Sequence, residues 1–158
     1  MAAATFWNIV PGRLRRRYSP RQIVNSTYDV RKVPSPGRNF FAVIVDGRPA
    51  TVAEVTPGWP GQGEDGQPPT LQFIWTPPEG RRRGQGRAMV EFLKATYPGL
   101  SHDGNLSEDG RRLVQHFELP ILPGKTFELY DPTEAEELGI RTHAKVAEAW
   151  EADAGSAR

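Results

Sequence analysis

A short segment rich in arginine and glycine, residues 81–86, lies between an apolar run that predicts a strand and an amphipathic run that predicts a helix. The glycines at positions 84 and 86 let the backbone turn tightly and come close to a ligand. The first N–H groups of the following helix have no intrahelical partner, and the helix dipole places partial positive charge there. Such a loop binds an anion, most naturally a pyrophosphate, and three consecutive arginines add positive charge to it.

Two common phosphate-binding loops do not fit this segment. A Rossmann loop requires a third glycine three residues after the second one, and that position is Met89. A Walker loop requires Gly-Lys followed by Ser or Thr, which the segment lacks. An alternative interpretation without a ligand is a glycine-rich turn beside solvated arginines, because short motifs also occur by chance.

The segment resembles motif A of the GNAT acyltransferase superfamily, Arg/Gln-x-x-Gly-x-Gly/Ala, and stands here as Arg81-x-x-Gly84-x-Gly86. The order of predicted elements over residues 40–130 is similar as well: a β-hairpin, a strand, the loop with its helix, a short strand and a second helix. The resemblance implies an α/β fold of the α+β kind. Its sheet is expected to be GNAT-like, mixed and mostly antiparallel, with flanking helices and an extra C-terminal helix.

The activity that the resemblance implies is acyl-CoA-dependent N-acyl transfer, with acetyl-CoA as donor and direct attack by an amine in a ternary complex. Backbone amides of residues 82–87 would hold the pyrophosphate. Residues 73–75 would pair with the pantetheine arm, on a strand that splays from its neighbour to admit the thioester. The residues expected to bind the donor are Phe73, Ile74, Trp75, Arg81, Arg82, Arg83, Gly84, Gln85, Gly86 and Arg87.

Candidate catalytic residues are harder to assign. The resemblance implies a tyrosine acid on the helix at residues 107–117, which has none, and His116 is its nearest titratable group. A base must take a proton from the attacking amine. Glu54 lies among apolar neighbours and is one candidate, although strand alternation equally places it on a solvent face. His102 is another, with a simple turn at Asp103-Gly104 as its alternative.

The missing tyrosine leaves open a second function of a different class. In that alternative the chain is a catalytically silent GNAT-like binding protein that engages a partner protein or nucleic acid. Its basic N-terminal part supplies the contact, because the first fifty residues carry nine Lys and Arg against two Asp and Glu. The last 58 residues carry six Lys and Arg against twelve Asp and Glu. Packing of the basic part on the acidic part therefore explains the charge asymmetry equally well.

Local signals predict the elements that position the loop. Two β-branched runs flank Asp46-Gly47, which predicts an antiparallel hairpin over residues 40–55. Pro77-Pro78 ends the strand at residues 71–75. Ser107 predicts one helix start, and Asp131 followed by Pro132 predicts another. We expect one domain, 1–158, with an irregular basic part at 1–39, a core at 40–130 and a C-terminal helix at 131–153.

Composition bounds the remaining possibilities. The chain of 158 residues contains no Cys, which excludes disulfides and thiolate metal sites. Its three His are scattered, so no metal is expected. The longest apolar run, residues 40–45, is too short for a membrane span, and a cytoplasmic protein is expected. The acceptor amine is not specified, and the apolar stripe ending at Trp150 is compatible with a homodimer.

Overall fold

The computed structural model describes residues 28–58 and 66–156. The run of arginines at 13–17 and half of the glycine- and proline-rich stretch at 56–69 lie outside these residues. A five-stranded sheet with the order β1-β2-β3-β4-β5 forms the centre of the fold. Its strands are β1 (Asp29–Ser35), β2 (Arg38–Val45), β3 (Arg48–Thr56), β4 (Thr70–Trp75) and β5 (Ser101–His102). Neighbours among the first four are antiparallel, and β5 is parallel to β4.

Three α-helices accompany the sheet in the described residues: α1 (Gln85–Thr96), α2 (Glu108–His116) and α3 (Pro132–Ser156). A 3-10 turn, Pro78–Gly80, follows β4, and two short strands, β6 (Asn105–Leu106) and β7 (Glu128–Leu129), form a small parallel sheet. The prediction of a mixed α/β structure with a mostly antiparallel sheet is confirmed. None of the described helices combines the length and apolar composition that crossing a membrane would require.

The predicted hairpin is β2 and β3, and its turn explains why the sequence signal was strong. Asp46 and Gly47 both have positive φ, 54° and 78°, which matches the twist that two antiparallel strands need. Residues 40–43 of β2 are all buried, as expected for a strand covered on both faces. Phe41 belongs to the apolar cluster under α1 and α2, whereas Phe40 belongs to the cluster under α3. The hairpin therefore forms the middle of a helix–sheet–helix sandwich.

Strand β1 corrects the expectation of irregular structure for residues 29–35. It pairs with β2 along its whole length, from Asp29 opposite Ile44 to Ser35 opposite Arg38. Its single fully buried side chain is Val33, and most of the others are exposed. An edge strand of this kind carries charges and a proline, so its sequence lacks a clear alternating pattern. The Pro36-Gly37 turn between β1 and β2, with Gly37 at φ 71°, is the local sequence signal that indicates this strand pair.

Helix α3 lies across the sheet face opposite α1 and docks closely at one glycine. A Cβ at Gly139 would overlap with the indole ring of Trp75, the last residue of β4. Farther along α3, Val146 is fully buried and Trp150 donates from Nε1 to the carbonyl of Gly47 at 3.0 Å. The stripe that ends at Trp150 therefore contacts this chain's own sheet.

We predict that Gly139→Ala destabilises the fold by about 1–3 kcal/mol, because overpacking against Trp75 outweighs the better helix propensity of alanine. Gly155→Ala, on the same helix with open space around the site, is the matched control and should be neutral or slightly stabilising. Urea denaturation of both variants measures the difference. Equal effects at the two positions would show that α3 does not dock on Trp75.

Candidate functional site

A cleft of about 740 Å³ opens at the carboxyl end of β4. Its walls are the loop at residues 80–84 and the first turns of α1, α2 and α3. The sequence-predicted donor residues Ile74, Trp75 and Gly84 line it, together with neighbours in the same loop. The structure therefore gathers most of the predicted donor-binding segment around one concave surface.

The first turn of α1 is open toward this cleft. Gly84 precedes the helix with φ 82°, and no side chain caps the helix start. The first backbone bond runs from the Ala88 amide to the Gly84 carbonyl at 3.0 Å. The amides of Gln85, Gly86 and Arg87 therefore have no intrahelical acceptor, and they lie at the positive end of the helix dipole.

The other two helices that reach the cleft have their own caps. On α2, Ser107 Oγ accepts a hydrogen bond from the Gly110 amide at 3.0 Å. On α3, Asp131 Oδ2 accepts one from the Thr133 amide at 3.0 Å. Among the α-helices of the described residues, α1 is thus the one whose start lacks a side-chain cap. An external anion has its best amide donors there.

The two glycines of the motif have different structural causes. Gly84 occupies the left-handed region, where any other L residue is strained. Gly86 allows close helix packing, because a Cβ there would lie 3.0 Å from Leu113 Cδ1 on α2. Both features also keep side chains away from the open amides.

The arginines of the loop differ in their contacts. Arg81 forms an ion pair with Glu136 on α3, donates from Nε to the Thr76 carbonyl at 2.8 Å and lies over the Trp75 ring. The hydrogen bonds from Arg81 lower the pKa of Glu136, so the carboxylate stays ionised. Arg81 therefore fixes the loop to α3, and its charge is largely compensated.

The remaining cations of the segment are more available. Arg82 lines the cleft, is exposed and has a positive φ of 62°. Arg83 is exposed, and its carbonyl accepts a hydrogen bond from the Tyr28 hydroxyl. Neither arginine pairs with a carboxylate within the described parts of the chain. Arg87 lines the cleft, with Nη2 3.1 Å from His116 Nε2.

Strand β4 leaves its parallel neighbour halfway along its length. It pairs with β5 only at Thr70 and Leu71, whereas its pairing with β3 continues to Trp75. Among the described strands, none pairs with the other edge of residues 72–75. Phe73 and Ile74 on this half of β4 are buried, with 7% and 6% of their surface exposed. Backbone donors and acceptors on a free edge can bind an extended ligand.

Tyr130 packs beside this diverging edge, and the charge of Asp103 acts on it. The Tyr130 ring packs edge-on against Phe73, with 6.4 Å between ring centroids. Burial raises the pKa of Tyr130, and the carboxylates of Asp103 and Glu134 raise it further. Burial also raises the pKa of Asp103, although its Oδ1 accepts the Asn105 amide at 3.0 Å. Tyr130 thus stays protonated at neutral pH and Asp103 is a stronger base than an ordinary aspartate, but neither residue lines the cleft.

Tyr130 was absent from the residues expected from sequence. It is placed by a backbone bond from its amide to the Leu106 carbonyl at 2.9 Å, next to the pairing of β6 with β7. A short strand at residues 126–130 is indicated by the sequence, but nothing local indicates that it pairs with β6, so the sequence offered little to bring residue 130 near residue 103. Of this arrangement, the sequence indicated only that Asp103 follows the short strand β5.

The three expected catalytic residues lie apart, and none lines the cleft. Glu54 accepts two hydrogen bonds from Arg38, at 2.7 and 2.8 Å, on the sheet face that α3 covers. His102 is 1% exposed, and its Nδ1 accepts the Gly104 amide at 3.1 Å. His116 ends α2 and contacts Arg87, so it is nearer to the loop than the other two.

Within the described ranges no group of three or more His, Cys, Asp or Glu side chains could hold a metal ion. Comparisons of the chain with protein-family models, with curated proteins and with solved structures give no match. The function therefore has to be inferred from the geometry of the cleft and of the diverging strand.

The buried His102 predicts a specific pH dependence of stability. Burial lowers its pKa, so below about pH 6.5 the unfolded chain takes up a proton that the folded chain resists. Stability should fall as the pH drops from 7 to 5, by at most about 1.4 kcal/mol per pH unit for one group. In His102→Asn, which keeps an acceptor for the Gly104 amide, this slope should flatten. Denaturation curves at several pH values test it, and equal slopes would contradict it.

Proposed function

We propose that this chain is an acyl-CoA-dependent N-acyltransferase with a GNAT-like fold, and that it transfers an acetyl group to an amine. One observation carries the proposal: the uncapped start of α1 and the diverging half of β4 meet at the same cleft. An acyl-CoA has a pyrophosphate at one end of an extended amide-bearing arm. Helix amides suit the pyrophosphate, and a free strand edge suits the arm.

In this proposal the amides of Gln85, Gly86 and Arg87 hold the pyrophosphate. The side chains of Arg82 and Arg87 add positive charge, because both line the cleft. Arg81 contributes indirectly, since its ion pair with Glu136 holds the loop. The donor supplies an activated thioester. A function that consumes acyl-CoA also fits a cytoplasmic location.

In this proposal, residues of the chain accept and donate the protons of the transfer. Asp103, with its raised pKa, is suited to accept the proton that the amine releases on attack. Tyr130 is protonated at neutral pH and is suited to donate a proton to the departing thiolate. Tyr130 packs against Phe73 on the diverging half of β4, where the proposed arm would end, and the charge of Asp103 acts on Tyr130.

Binding of the donor is tested first with Gly84→Asp. An aspartate there adds a negative charge beside the open amides, so it repels the pyrophosphate. We predict that acetyl-CoA affinity, measured by titration calorimetry, falls at least about 100-fold, which corresponds to about 2.7 kcal/mol. Gly99→Asp is the matched control, because Gly99 also has a positive φ of 87° and open space, beyond the other end of α1.

Wild-type protein that does not bind acetyl-CoA at millimolar concentration would overturn the proposal. Equal loss of affinity in the two variants would show that the pyrophosphate lies elsewhere. Binding without turnover of any amine would favour the catalytically silent alternative, in which the basic N-terminal part engages a partner protein or nucleic acid.

Catalytic roles are tested with Asp103→Asn and Tyr130→Phe. Loss of a general acid or base typically lowers the rate by about 10²–10⁴. We predict a fall in kcat of about 100-fold for each variant, with the KM for acetyl-CoA nearly unchanged. The assay follows CoA release with an acceptor found by screening amines. Glu54→Gln is the comparison variant, and a larger fall for it than for Asp103→Asn would return the role of base to Glu54.

A further inference from the structure

A buried chain of hydrogen bonds joins three elements behind the cleft. Thr51 on β3 is fully buried, and its Oγ1 lies 2.8 Å from Oγ1 of Thr76, the residue after β4. The same Thr51 Oγ1 donates to Oε1 of Gln85 at 3.0 Å. Gln85 is the first residue of α1 and is only 6% exposed. Its side chain is therefore engaged inside the protein, although the residue also lines the cleft.

The direction of this chain follows from the donors available. A threonine hydroxyl has one proton, and Thr51 gives its proton to an amide oxygen that can only accept. The Thr76 hydroxyl must then donate to Thr51. Gly80 lies against the amide of Gln85, because a Cβ at Gly80 would be 3.2 Å from Nε2. Loss of the Thr51 hydroxyl would leave a buried acceptor unsatisfied in a site with little room to rearrange.

Within the described residues, the bond from Thr51 is the one side-chain hydrogen bond made by residues 84–86. Gln85 stands between two glycines, and glycine costs more conformational entropy than any other residue when it is fixed. No side chain caps the helix. A helix start of this composition would fray without an anchor. The side chain of Gln85, the one non-glycine residue at positions 84–86, provides that anchor.

We propose that Thr51, Thr76 and Gln85 are positioning residues, which hold the first amides of α1 in the geometry that binds the donor's pyrophosphate. This inference rests on the proposed function. Gln85 would contribute its backbone amide to the ligand and its side chain to the anchor. The residue was expected to bind the donor from its place in the motif, and the structure separates these two roles.

Thr51→Val removes the hydroxyl and keeps the shape of the side chain, whereas Thr51→Ser keeps the hydroxyl. Thr70→Val is the matched control, because Thr70 is also fully buried on the same sheet, with its hydroxyl 3.0 Å from the Pro68 carbonyl at the opposite end of β4. Each variant is titrated with CoA. Amide hydrogen exchange of Ala88, whose N–H bonds to Gly84, is measured without ligand.

We expect Thr51→Val to weaken CoA binding about tenfold, as loss of one buried hydrogen bond implies, and to speed exchange at Ala88. In Thr51→Ser and Thr70→Val, the CoA affinity and the exchange rate at Ala88 should both stay close to wild type. This holds even if Thr70→Val lowers the melting temperature as much as Thr51→Val does. Equal affinities of Thr51→Val and Thr70→Val would overturn the inference. If wild-type protein does not bind CoA, the proposed function fails, and unchanged exchange at Ala88 in Thr51→Val would separately overturn the anchor.

Discussion

The ion pair between Arg81 and Glu136 is the contact on which the cleft depends. It joins the loop after β4 to α3, and Trp75 strengthens it by donating from Nε1 to Glu136 Oε1 at 2.9 Å. Gly139 lets α3 come close enough for this arrangement. The end of β4, the loop that follows it and α3, which is 55 residues further along the chain, therefore meet at one carboxylate. Without it, the loop would lose its fixed path between the sheet and the start of α1.

This contact has a consequence for the charge of the cleft. Because Glu136 compensates Arg81, the first arginine of the motif supports the loop, and in the proposed function attraction of the anion is left to Arg82, Arg87 and the helix amides. A surface ion pair with side chains 33% and 41% exposed contributes about 0–1 kcal/mol to stability by itself. Its importance is therefore geometric, because it orients a loop that contains a non-glycine residue, Arg82, at positive φ.

Sequence patterns predicted the parts of the fold that local chemistry decides. The Asp46-Gly47 turn, the caps at Ser107 and Asp131 and the glycines of the loop each have a short-range cause. The strand β1 escaped prediction because an edge strand needs little apolar pattern. The partner of Arg81 lies 55 residues away, so that ion pair leaves no local signal. Tyr130 and Asp103 are brought into one region by the pairing of two-residue strands, which leaves no local signal either.

We propose that an acyl-CoA lies with its pyrophosphate at the start of α1 and its arm along the half of β4 that does not pair with β5. A titration of ¹⁵N-labelled protein with CoA, followed by amide chemical shifts, tests this most directly. We predict the largest amide chemical-shift changes at residues 85–87, with a second group at residues 72–75 and small changes on β1. Shifts confined to other surfaces, or none at millimolar CoA, would contradict it.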